Sequence, residues 1–200
     1  MQHQLINNLI GKLCGQISIK AIDLQSGDTI EHSPDTLIPS ASTIKLAILV
    51  ELLCRIDNKT ISADLIVKAI GLKNLKKLSE PYKLLDPTAN PTSALEMCEL
   101  LTKIYQGKIP NSKYALALMG DQVFRNRIPY LLPNYAQVYN KTGTLDNGKN
   151  IIVNDVGIVV NTKNSKAFVL SFLSKNQQSI AQTSLVIAEI SKILFKIWLE

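Results

Sequence analysis

IPSASTIKLAILVELL occupies residues 38–53, and after Lys45 it is apolar except for Glu51. Such a segment reads as a helix that is apolar nearly all round and therefore central to its domain. At its mouth stand Ser42 and Lys45, three residues apart and so on one helical face. The first turn of a helix carries unpaired N–H groups and the positive end of the dipole. A serine there has an amine within reach to take its proton and backbone N–H groups to meet a developing oxyanion. Apolar surroundings would desolvate the ammonium of Lys45, lower its pKa and make it a usable base near neutral pH. The structural alternative is that Ser42 or Ser40 caps the helix while Lys45 reaches out to solvent.

Working outward, the pattern gives two strands before this helix and three at the far end. Residues 4–13 read as a short helix; residues 16–24 and 29–32 read as strands joined by the turn signal QSGD. Ser62 can cap a helix over 63–70 that stops at Gly71. Residues 79–92 contain Pro81, Pro87 and Pro91 and read as loop. Ser93 and Glu96 suit a capping box for the helix ALEMCELLTKIYQ, which ends at Gly107; a further helix follows over 112–123. Residues 137–142, 151–161 and 167–174 read as strands, with Asn147 and Gly148 at a hairpin tip, and 179–199 as a long amphipathic helix. The expected fold is α+β: a five-stranded antiparallel sheet flanked by the N- and C-terminal helices, with an inserted, reduced all-α lobe. The corresponding division is a discontinuous sheet domain over 1–40 and 124–200, and a helical lobe with the nucleophile helix over 41–123.

Composition narrows the partners. A hydrophobic fraction of 46% in 200 residues suits a globular chain with a real core. No apolar run is long enough for a membrane span, and residues 1–15 lack the basic-then-apolar order of a signal peptide. The net charge of +6 comes from scattered lysines, the tightest group being LKNLKKL at 72–78, which reads as a solvated face. Without a basic stripe or nucleic-acid motif, nucleic acid is not an expected partner; a mild positive field favours small anions. Cys14, Cys54 and Cys98 are isolated, so no zinc site is expected, and Cys54 and Cys98 read as buried thiols in helices. His3 and His32 both precede Ser42, and His32 falls in a strand without an evident acid partner, which argues against a histidine-based triad.

A second motif lies at the end of the predicted strand 137–142. VYNKTGTL places Lys141, Thr142, Gly143 and Thr144 together on a strand. Gly143 lets another backbone or a ligand come close, and Lys141 with two hydroxyls makes a set able to hold a carboxylate. Taken together and in this order, SxxK and KTG resemble the class A serine β-lactamase and penicillin-binding protein superfamily, whose marks these motifs are. IPSASTIKLAILVELL resembles that family's nucleophile helix, NPTSALEMCELLTKIYQGKI the helix after its omega loop, RIPYLLP the lead-in to its KTG strand; NDVGIVV and the closing helix also fit, so the resemblance spans nearly the whole chain.

The resemblance implies Ser42 as acylated nucleophile, Lys45 as base or proton relay, the N–H groups of Ser42 and Thr144 as oxyanion hole, and Lys141, Thr142, Gly143 and Thr144 as the substrate-binding strand. It implies no cofactor and no metal, a β-lactam or a D-Ala-type cell-wall peptide as small-molecule partner, a monomer, and a periplasmic or secreted location, with a cytoplasmic one left open. Two departures stand out. The family's Ser-Asp-Asn motif is absent, and only Ser62, in Ser62-Ala63-Asp64, offers a substitute. The deacylating acid of the omega loop has its nearest counterpart in Glu80 of Glu80-Pro81, with Asp86-Pro87 next, on a shortened segment. Three functions follow: a hydrolase that opens the β-lactam amide through an acyl-enzyme on Ser42; a penicillin-binding or sensing protein that acylates and deacylates slowly; or a non-catalytic descendant that binds or supports. Leu65, Ile66, Ile70 and Leu78 are the residues expected to roof the central helix.

Overall fold

The computed structural model describes residues 2–60 and 90–200. The expected helix over 63–70, most of the proline-rich loop, and Ser62, Leu65, Ile66, Ile70, Leu78, Glu80 and Asp86 lie outside the described residues. Five strands form one antiparallel sheet: β1 (Gln16–Asp23), β2 (Thr29–His32), β5 (Ala136–Asp146), β6 (Ile151–Asn161) and β7 (Ala167–Lys175), in the order β2-β1-β7-β6-β5. The two ends of the chain therefore meet in the middle of the sheet, where β1 pairs with β7 over its full length. β5 and β6 form the predicted hairpin, with Gly148 at φ +76° in its turn. That left-handed conformation is open to glycine without the Cβ clash other residues meet.

β6 and β7 are buried at nearly every position, because helices cover both faces of the sheet. One face packs on α1 (Gln2–Ile10) and α5 (Ile180–Leu194), with Ile19, Val153, Phe168, Phe172 and Ile187 at its centre. The other face packs on α2 (Ile44–Asp57), α3 (Ala94–Tyr105) and α4 (Ser112–Gly120), through Leu46, Leu101, Val156, Ile158 and Val169. Even and odd positions of β6 thus serve different cores, as strand alternation requires. Phe168 and Phe172 are wholly buried; each contributes about 1.5–3 kcal/mol by leaving water.

Local signals explain the helix ends. Ser93 Oγ accepts from Glu96 N–H while the Glu96 carboxylate accepts from Ser93 N–H, so both halves of the capping box form. Ser179 Oγ accepts from Gln182 N–H at the start of α5. The C-terminal helix is regular only to Leu194 and continues as a π-turn, Phe195–Leu199. α4 stops at Gly120, short of the expected 123. Pro91–Thr92, expected as loop, is instead β4, paired with β3 (Ile38–Pro39). Proline is tolerated there because the ladder is two residues long and edge-like. Among the described residues no helix is long and apolar enough to cross a membrane.

Candidate active site

Ser42 stands on a single 3-10 turn, Ala41–Thr43, that feeds α2, and not within the α-helix itself. Ala41 has φ +47°, a left-handed conformation unusual for a non-glycine residue. Neither Ser40 nor Thr43 makes a side-chain cap; Thr43 Oγ1 donates back to Ser40 O at 2.6 Å, and Ser40 Oγ is buried without a partner. The serine is thus not spent on capping. Ser42 itself is half-buried.

β5 closes directly on this turn. A β-carbon on Gly143 would lie 2.9 Å from Ser40 O, 3.1 Å from Ser42 N and 3.1 Å from Thr43 Cγ2. Only glycine permits this approach without displacement. The same segment is tied to the sheet by Asn154 of β6, which faces Gly143 in the register. Its Nδ2 donates to Pro39 O at 2.9 Å and Ser40 O at 3.1 Å, and its Oδ1 accepts from Ser174 N–H at 2.9 Å. All of its polar atoms are buried and used, which makes it a rigid staple between the sheet and the strand leading to Ser42.

The lysines differ from expectation. Lys45 is exposed, so the argument from its desolvation does not hold. The half-buried ammonium is that of Lys141, which donates to Thr142 O at 2.7 Å. Burial lowers its pKa first, the neighbouring positive charge of Lys45 lowers it further, and Asp155 pulls it back up. The charge of Lys45 is therefore felt at Lys141: the SxxK and KTG lysines share one electrostatic site. α2 is also less enclosed than its apolar pattern predicts. Leu46 and Leu53 are its buried residues, Ala47, Ile48, Leu49 and Val50 are half-buried, and so is Cys54. Cys98 is buried as expected, and burial pushes its thiol up to about 12.

Two charged residues escaped the sequence reading. Arg127, 4% exposed, lies in the connection between α4 and β5. Its Nε donates to Ser184 Oγ at 3.1 Å, its Nη1 to Gly143 O at 3.1 Å and Asn154 O at 2.7 Å, and its Nη2 to Thr144 Oγ1 at 2.5 Å. Its acceptors are all neutral, and burial lowers its pKa. Asp155, the other, is wholly buried and accepts from Ile128 N–H and from the Asn140 amide. The available signal was the pair Asn154-Asp155 interrupting an otherwise apolar β6, IIVNDVGIVVN. A polar pair in a doubly covered strand has to be satisfied internally. Lys141, Thr142 and Thr144 thus lie together on β5, with the buried guanidinium of Arg127 bonded to Thr144 Oγ1 behind them. Ser62 and Glu80 lie outside the described residues.

The sequence model of the beta-lactamase enzyme family matches residues 3–69 and 64–198. A search of curated proteins finds no match to the sequence. Among solved structures, a β-lactamase from Chitinophaga pinensis superimposes with a TM-score of 0.84 at 17% identity, covering 98% of this chain and 98% of that one. The TLA-3 extended-spectrum β-lactamase gives 0.82 at 15% identity, covering 100% and 98%. PBP-A gives 0.77 at 20% identity, covering 98% and 94%.

Proposed function

The chain belongs to the beta-lactamase enzyme family, and on that premise we propose that it is a serine hydrolase that opens a β-lactam amide through an acyl-enzyme on Ser42. The observation that carries this reading is the contact of Gly143 with the turn bearing Ser42. It puts the two motifs, about a hundred residues apart in sequence, against one another, with Lys141 and Lys45 sharing a field.

In this mechanism Ser42 Oγ attacks the amide carbonyl carbon as its proton passes to Lys45. The N–H groups of Ser42 and Thr144 meet the oxyanion. The C–N bond then breaks, and the proton is relayed to the leaving nitrogen. Lys45 is exposed, so bound substrate is what excludes water from around its amine. Lys141, Thr142 and Thr144 hold the substrate carboxylate and so orient the carbonyl, with the buried Arg127 behind Thr144 adding positive charge. Glu80 activates the water that hydrolyses the ester. The substrate is a small molecule, the acting species a monomer, and the compartment lies outside the cytoplasm, where β-lactams and cell-wall peptides are met.

A slow-deacylating, penicillin-binding role is the second reading. The missing Ser-Asp-Asn motif favours it, as does the likeness to PBP-A, a point mutant of which was solved as an acyl-enzyme complex with penicillin G. Turnover of a chromogenic cephalosporin, with Ser42→Ala as control, separates the two. Sustained hydrolysis lost in the variant supports the hydrolase; a single stoichiometric burst supports the binder; no reaction of either kind sinks both.

A further inference from the structure

Asp155 is a wholly buried carboxylate that the reaction above does not use. It lies on β6 opposite Thr142 of β5 and Phe172 of β7. Its partners are neutral donors. Asn140 Nδ2 is 2.9 Å from Oδ1 and 3.2 Å from Oδ2, and Ile128 N is 3.0 Å from Oδ2. The ion pairs among the described residues are Lys20–Glu31 and Arg55–Glu51, so neither Asp155 nor Arg127 is in one. The cations whose charge acts on Asp155 are Arg127, from the connection before β5, and Lys141 of β5; β7 presents Phe172. Asp155 is thus a counter-charge near the two cations of the carboxylate-binding edge, without being paired to either.

The second observation concerns Asn140. Its Oδ1 is buried and has no hydrogen-bond partner. Gly157 stands opposite it, and a β-carbon there would come within 2.8 Å of Asn140 Cβ, so the glycine makes room for this amide. An ionised Asp155 requires Nδ2 to point at it. A protonated Asp155 has an O–H to donate, and the amide turned over offers the orphaned Oδ1 as acceptor. Burial pushes the Asp155 carboxyl up to about 6, against the pull of Asn140, the Ile128 N–H, Arg127 and Lys141. Both states are therefore reached in mildly acidic water.

We propose that Asp155 is a proton-linked positioning residue for substrate-carboxylate binding: ionised, it offsets the positive field of Arg127 and Lys141; protonated, with the Asn140 amide turned over, it leaves that field uncompensated for an anionic ligand. The inference rests on the carboxylate-binding role given to β5 above. Its sign is fixed. Removing the negative charge of Asp155 strengthens carboxylate binding, so affinity rises as pH falls through the Asp155 midpoint. By linkage, a bound carboxylate raises that midpoint by the same factor.

KM for a carboxylate-bearing β-lactam, measured from about pH 8 down to about pH 5, is expected to fall about fivefold or more, with the step in KM and not kcat. The methyl ester of the same compound shows no such step. Asp155→Asn, which imitates the protonated acid, holds KM low and flat. Asn140→Ala, which removes a donor to the ionised form, moves the midpoint up. A step that survives in Asp155→Asn, or that the ester shares, overturns the inference. Nitrogen NMR of the intact chain gives a readout independent of activity. The Ile128 amide and the Asn140 side-chain amide are expected to titrate together with a midpoint near 6, and added acetate to raise it. If the wild type forms no adduct with penicillin, the functional reading fails and this titration alone decides the inference. Resonances that stay flat, or a midpoint that acetate leaves unmoved, overturn it.

Discussion

Gly143→Ala tests the geometry on which the chemistry depends. The added methyl would sit 2.9 Å from Ser40 O and 3.1 Å from both Ser42 N and Thr43 Cγ2. Ordinary van der Waals contact for such a carbon begins near 3.4 Å, so at least one neighbour must give by several tenths of an ångström. None of the three yields easily: Ser40 O and Ser42 N are backbone, Asn154 holds the carbonyls of Pro39 and Ser40, and the buried Thr43 side chain is tied to Ser40 O by its hydroxyl. Gly143 lies within extended β5 and has no left-handed φ, so the penalty is steric alone. Overpacking of this kind costs about 1–3 kcal/mol, which in a chain of this size lowers Tm by about 2–10 °C. The larger effect falls on the reaction. Moving β5 away from the turn separates Lys141 and Thr144 from Ser42, and misplacement by a fraction of an ångström costs about tenfold or more in rate. Calorimetry and single-turnover acylation by penicillin G, followed by intact mass, measure both. An alanine variant with wild-type Tm and wild-type acylation would refute the contact and the reasoning built on it.

Arg127→Ala leaves the carbonyls of Gly143 and Asn154 short of a buried donor, and is expected to destabilise by about 2–5 kcal/mol in urea unfolding while weakening carboxylate-bearing substrates more than their esters. Asp155 titrates at about 6 in the folded chain and at the ordinary 3.8 when unfolded. Between these values the native state holds a proton the unfolded state has released, so this group's contribution falls as pH rises through the window, by about 3 kcal/mol in all. The difference in unfolding free energy between wild type and Asp155→Asn should change by that amount between about pH 4 and pH 7; a constant difference would contradict it. Cys14 is exposed, whereas Cys98 is buried with its thiol pushed up to about 12, so a disulfide reagent should modify Cys14 in the native chain and Cys98 only on unfolding.

The strands of the sheet were legible because they carry local signals: the QSGD turn after β1, the Asn147-Gly148 turn, and the mainly apolar runs of β6 and β7. The capping box at Ser93 was readable for the same reason, since its partners are three residues apart. What escaped depends on contacts distant in sequence. Pro91 reads as a strand breaker, and only its pairing with Pro39 makes it part of a ladder. Lys45 sits in an apolar string, yet whether its side chain is covered depends on what packs over α2, not on its own neighbours. Arg127 looks like any surface cation until β5 and α5 close round it. Its four acceptors lie 16 to 57 residues away. The motif residues of the candidate site were thus visible in the chain, and the residues that hold the motifs together were not.

The most direct test is intact-mass spectrometry of the protein after exposure to penicillin G, with the modified peptide sequenced. A single adduct of the intact drug on Ser42, absent from Ser42→Ala, is the expected result. A protein that stays unmodified, or an adduct on any other residue, would contradict it.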